Sequence, residues 1–316
     1  MPRKGADSRA QVTLDALTAL DPIAPRTAQL AVLLNALNDK HCMVVARAAT
    51  LAGERLLHEL SGDLVYAYAR LLKEPVKRDP GCKAKQAIAR ALVTLECQDL
   101  EFYRAGMVYR QLEPAWGRPT DTAIDVRCSC AMGLAAVGRP RAVAELTGLL
   151  TDPEAVVRSG AARAISCGNP HEAEAVLRFK VQIGDAEPEV IGECFSALLI
   201  IEPEHSLPFV AGYLRHADDA LREFAALALG ESRLPEALQL LRAAWDDAVG
   251  AETRGALIRA AALHRSEAAF EWLLEIIAMG SAPHAQAAVD ALAVYERNSR
   301  LIEQIEAAKA RRTTPL

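Results

Sequence analysis

The sequence predicts an all-α protein: an α-solenoid of about eight similar helix pairs forming a curved superhelix. Three observations carry this reading. A short motif recurs at steps of 31 to 33 residues, only 5% of the residues are aromatic, and no segment alternates like a strand. The apolar share of 51% is mostly Ala and Leu. Ala costs a helix least and lets backbones approach closely, so this composition suits tightly packed helices.

In chain order, Asp7 or Ser8 starts a helix with apolar Val12, Leu14, Leu17 and Leu20, so residues 1–26 read as a capping helix and linker. The repeats span 27–295. The motif is clearest at Asp152-Pro153-Glu154-Ala155-Val156-Val157-Arg158, which runs into Ser159-Gly160-Ala161-Ala162. The residue before the basic slot is Val126, Val157, Val190, Leu221 and Thr253, with successive gaps of 31, 33, 31 and 32. Degenerate copies sit at Val44–Ala49, Lys83–Ala89 and Pro283–Ala288. Small residues following the Val-Arg step share one helix face and leave a shallow stripe where a neighbouring helix nests. A further helical run precedes each copy, and turns such as Gly138-Arg139-Pro140 and Gly168-Asn169-Pro170 separate them. At the far end Leu301, Ile302, Ile305 and Ala308 form one stripe, so 296–311 reads as the second cap and 312–316 as a disordered tail.

This pattern resembles the HEAT-repeat family, including the short bacterial copies of phycobilisome-lyase type, from about Thr27 to Tyr295. The resemblance implies antiparallel helix pairs stacked into a superhelix, second helices along the concave side, and a role as a protein-binding scaffold. The family's Asp-to-Arg ladder is present in part. Asp121 precedes Arg127 by six places and Asp152 precedes Arg158 by six, whereas Asp185 meets Ile191 at that spacing.

Two places break the period. The third repeat carries extra residues from Gly106 to Thr122, which with the preceding Tyr103 concentrate aromatics as Tyr103, Tyr109 and Trp116. Insertions in repeat arrays map to surface loops and often mark the binding face; the competing reading is a loop folded back with Trp116 filling a gap. The second break is the basic segment Arg70 to Arg90, holding Lys77, Arg78, Lys83 and Lys85. Residues 1–120 carry 17 basic and 13 acidic side chains, and 121–316 carry 19 and 28, a polarity able to orient a charged partner. The expected partner surface is therefore Tyr103, Tyr109, Trp116, Lys77, Arg78, Lys83 and Lys85, with Arg127 and Arg158 in the groove. Arg127, Arg158, Arg222 and Arg254 either line that groove for an acidic ligand or make hydrogen bonds inside the stack.

No catalytic, cofactor or metal site is expected. Cys128 and Cys130 diverge by about 200° on a helix, so they do not chelate locally. Cys130 and Cys194 occupy the small-residue slot of Ala161 and read as buried hydrophobes. His41 beside Cys42 is the nearest approach to a nucleophile pair, and no phosphate-binding Gly motif occurs. The net charge of -5 counts against nucleic acid, no apolar run has membrane-spanning length, and the first residues lack a secretory pattern, so a cytoplasmic protein with reduced thiols is expected. The function expected is a noncatalytic scaffold or adaptor for a protein partner. The alternatives are an enzyme subunit of this repeat type, such as a bilin-lyase-like protein, and a DNA glycosylase of similar helical architecture, which needs a basic surface.

Overall fold

The computed structural model describes residues 4–138, 140–248 and 250–312. They are helical apart from turns and one minimal hairpin, and they form two compact units, Met1–Asn169 and Pro170–Leu316.

The first unit opens with α1 (Lys4–Thr18), followed by four pairs: α2 (Arg26–Leu37) with α3 (Cys42–Glu54), α4 (Ser61–Leu71) with α6 (Lys83–Thr94), α7 (Leu100–Met107) with α8 (Ile124–Ala136), and α9 (Ala142–Thr147) with α10 (Ala155–Ile165). A single turn, α5 (Pro75–Arg78), lies between α4 and α6, and the two-residue strands β1 (Leu112–Glu113) and β2 (Thr120–Asp121) lie between α7 and α8. The second unit has four more pairs: α11 (Pro170–Ile183) with α12 (Pro188–Ile201), α13 (Pro203–Gly212) with α14 (Asp219–Ser232), α15 (Pro235–Asp247) with α16 (Ala251–His264), and α17 (Glu267–Met279) with α18 (Ala282–Leu292). α19 (Ser299–Ala310) then packs on α17.

Within each unit the second helices stack on one another, α3 on α6, α6 on α8 and α8 on α10, then α12 on α14, α14 on α16 and α16 on α18. The small-residue stripe makes this possible. Ala162 and Ala226 are buried, as the motif predicts. At Gly230 the approach is closest: a Cβ there would sit 2.2 Å from the Ala260 carbonyl oxygen. No side chain fits at that crossing.

The helix termini follow local chemistry. Asp99, Asp218 and Ser266 accept hydrogen bonds from the first-turn N–H groups of α7, α14 and α17. Pro begins α11, α12, α13 and α15, where its missing N–H costs nothing.

Three expectations are corrected. Strands do occur, as the 112–113/120–121 hairpin. In α1 only Ala10 and Leu17 among the described side chains are buried, and Val12 faces solvent. Arg312, assigned to the tail, donates to the carbonyls of Ile277 at 2.5 Å and Gly280 at 3.1 Å; residues 313–316 of that tail lie outside the described residues.

The Gly230 crossing gives a paired test. Gly230→Ala is expected to lower stability by about 1–3 kcal/mol, because backbone must move to admit a methyl group. Gly212, with nothing within 4 Å of its would-be Cβ, is the control; Gly212→Ala is expected to be neutral or to stabilise by up to about 1 kcal/mol. Urea midpoints by circular dichroism check both, and equal midpoints for the two variants would contradict the crossing.

Candidate partner-binding site

The insertion of the third pair is a rigid base carrying an open tip. Leu112 pairs with Asp121 and Glu113 with Thr120 in antiparallel register. The tip reads Pro114-Ala115-Trp116-Gly117-Arg118-Pro119. A Pro at each end fixes φ, and Gly117 takes φ +99°, a conformation that L side chains rarely adopt. Trp116 is fully exposed, and Leu112 is exposed beside it.

The base is held by Gln111, which is 2% exposed and uses all of its polar atoms. Its Nε2 donates to the Asp79 carbonyl at 2.9 Å and to Glu113 Oε1 at 2.7 Å. Its Oε1 accepts from the Tyr109 hydroxyl at 2.8 Å, and its N–H donates to Asp121 Oδ1 at 3.2 Å. Its carbonyl accepts from the Thr122 N–H at 2.9 Å. Glu113 Oε1 also accepts from the Gly81 N–H at 2.7 Å and the Thr122 hydroxyl at 2.8 Å, which ties the hairpin to the turn before α6.

Beneath the hairpin runs an ionic ladder. Arg127 has no exposure; its guanidinium meets Asp121 at 2.7 Å and Asp152 at 3.2 Å and donates to the Tyr109 carbonyl at 3.0 Å. Asp152 also takes Arg110 at 3.1 Å. One rung earlier, Lys85 and Asp79 are both fully buried and meet at 2.9 Å, while Asp79 accepts from the N–H groups of Ala84 and Lys85. In the second unit Lys180 takes Asp185 at 2.7 Å, filling the place that Ile191 leaves empty. Arg158 and Arg222 donate to backbone carbonyls, Arg158 to Asp152 and Pro153, Arg222 to His216 and Ala217.

These placements divide the expected site. Tyr103, Lys85 and Arg127 are interior and cannot reach a partner. Tyr103 packs where a Cβ on Gly133 would lie 2.1 Å from its ring, and its hydroxyl donates to the Leu92 carbonyl. Tyr109 is half-buried, its ring edge-on to Tyr68 and 6.0 Å from Lys85 Nζ, so it supports the hairpin. Arg158 is half-buried. Trp116, Lys77, Arg78 and Lys83 stay at the surface. Lys77 and Arg78 share Glu74 at 3.0 and 3.7 Å, whereas Lys83 and the exposed Arg118 make no ion pair among the described residues. Arg118 was not among the expected contacts; its signal was its place between Gly117 and Pro119 at the tip.

Cys82, Cys130 and Cys194 are buried as small apolar groups. Burial pushes the thiols of Cys82, Cys130 and Cys194 up to about 12 and Cys128 up to about 11, far from thiolate formation at neutral pH. Cys42 is raised by burial and by Asp79, and His41 instead caps α3 by accepting from the Met43 N–H. Among the described residues no group of three or more His, Cys, Asp and Glu is placed to hold a metal ion. No described helix is long and apolar enough to cross a membrane.

Protonation tests the base. Burial alone would raise Glu113 and Asp121. Hydrogen bonds outweigh it: Glu113 is held down by Gln111, Thr122 and the Gly81 N–H, and Asp121 by the Ala123 and Gln111 N–H groups and Arg127, so both lie below their ordinary 4.5 and 3.8. Their contribution is fully present above those ordinary values and is lost as pH falls through the depressed ones. Amide exchange at Gln111 and Thr122, corrected for intrinsic rate, is expected to be slow at about pH 6 and to speed up only as pH falls below the ordinary carboxylate values of 4.5 and 3.8 and through the depressed ones. Protection unchanged across that range would contradict a carboxylate-locked hairpin.

A family model described as HEAT repeats matches residues 177–262, so that segment carries HEAT repeats. No curated protein matches the sequence. Among solved structures, human deoxyhypusine hydroxylase in complex with glycerol aligns at 19% identity over 82% of this chain and 98% of its own, with a TM-score of 0.32. The CpcE and CpcF complex of phycocyanin lyase from Nostoc sp. aligns at 16% identity over 92% and 95%, TM-score 0.37. An engineered protein aligns at 18% identity over 97% and 89%, TM-score 0.36.

Proposed function

From a chain that carries HEAT repeats at 177–262, we propose a noncatalytic protein-binding scaffold that uses the third-pair hairpin as its docking element. The observation that supports it is Trp116, fully exposed at the tip of a loop whose base is locked by Gln111 and the Asp121–Arg127 pair. A large apolar ring presented on a fixed base loses little entropy on binding, and Trp is enriched among energetic anchors of interfaces. Exposed Leu112 widens the apolar contact. Lys77, Arg78, Lys83 and Arg118 supply a basic rim, so the partner surface that fits is an apolar pocket edged by carboxylates. The second helices of the same unit, including half-buried Arg158, form the adjoining surface.

Affinity purification with wild-type bait and with Trp116→Ala bait tests the reading. A specific partner is expected to be lost with the variant, with a binding cost of about 2 kcal/mol or more once measured in purified form. Thermal stability is expected to stay unchanged, because the ring touches no core. Lys83→Ala is expected to slow association and weaken its salt dependence with little effect on dissociation. A partner whose affinity survives Trp116→Ala would remove the hairpin as the docking element.

A further inference from the structure

Arg254 stands at the ladder slot of Arg127, Arg158 and Arg222. Six places before it, where Asp121 and Asp152 precede their arginines, stands Ala248. The side chain therefore lacks the carboxylate that its counterpart Arg127 holds. It also lacks the carbonyl bonds of Arg158 and Arg222: among the described residues the Arg254 side chain makes no hydrogen bond and no ion pair. Asp247, the residue just before Ala248, is taken by Arg215 at 2.5 Å.

The guanidinium is nevertheless held in place. Its Cζ lies 5.1 Å from the centre of the Trp245 ring. Trp245 is braced edge-on by Trp272 at 6.0 Å and by His284 at 5.4 Å. Arg254 Nε is buried without an acceptor, while the residue is only half-buried, which leaves the Nη edge open. Burial and the nearby Arg254 lower the pKa of His284 from its ordinary value, which disfavours a charge on that ring, and Arg242 stands on the other side of the cluster, 5.6 Å from the Trp272 ring centre. A stacked, oriented guanidinium with an unsatisfied edge is prepared for the planar, two-oxygen geometry of a carboxylate.

We infer that Arg254, stacked on Trp245, is a receptor for one carboxylate, presented by an acidic side chain of a bound polypeptide. The choice of carboxylate comes from this chain itself, because Arg127 at the equivalent slot receives Asp121 and Asp152. The site lies in the second unit and does not depend on the hairpin reading.

The test is a titration of the full chain with propionate, the side-chain fragment of glutamate, followed at the arginine Nε–H resonances. Chloride and inorganic phosphate at matched ionic strength form the other arms, and Arg254→Lys assigns the resonance by its loss. A saturable propionate shift of the Arg254 signal, absent with chloride, is expected. Ala248→Asp restores the missing rung from within; it is expected to abolish the propionate shift and to raise the melting temperature by about 2–4 °C. Equal responses to chloride and propionate, a tighter response to phosphate, or a propionate shift that persists in a folded Ala248→Asp variant would each overturn the assignment. If that variant does not fold, the wild-type titration decides alone.

Discussion

A guanidinium with no access to water binds two carboxylates from consecutive turns, and the irregular part of the first unit is organised around it. Arg127 fixes Asp121, which caps the entry to α8, and Asp152, which shapes the turn into α10. Breaking such a pair by removing one member strands a charge in the interior, which costs far more than the pair contributes as a unit. The interaction is therefore better understood as fixing register than as supplying stability. It determines where one helix pair ends and the next begins, while the Ala- and Gly-lined crossings determine how near they come.

The same ladder explains why the insertion is ordered. Sixteen residues between helix ends would ordinarily carry unsatisfied backbone groups and move freely. Here Gln111, Glu113 and Asp121 absorb the N–H and O–H donors at the base of the loop, and Asp79 with Lys85 does so one rung earlier. The polar atoms are used up below and the apolar ones are left above, which separates a supporting layer from a presenting layer within a dozen residues.

Much of the fold was legible because it depends on local periodicity: the small-residue stripe, the Pro and Gly breaks and the six-residue Asp-to-Arg spacing are all written within one repeat. The site was legible only in part. Tyr103 and Trp116 look alike as isolated aromatics, and nothing near Tyr103 in sequence reveals that Gly133, thirty residues on, clears space for its ring. Lys85 was read as part of a basic surface although Asp79 stands six places before it, at the spacing recognised for Arg127; the density of neighbouring lysines masked the rung. Lys180 is the converse case, reaching Asp185 from the preceding helix, where no fixed offset announces it. The hairpin escaped because two residues per strand cannot show alternation, and its stability comes from side-chain acceptors instead of a ladder of backbone bonds.

The tip from Pro114 to Pro119 has a consequence for how this chain can change over time. Its residues are exposed, and a Cβ on Gly117 would meet nothing, although the φ of +99° there still favours glycine. The segment is thus insulated: its sequence and length are variable at almost no cost to the stack, while everything below Glu113 and Thr120 is pinned. Such a position works as an interchangeable cassette, where new recognition sequences arise by substitution or insertion without renegotiating the fold, and where a foreign peptide can be grafted for display.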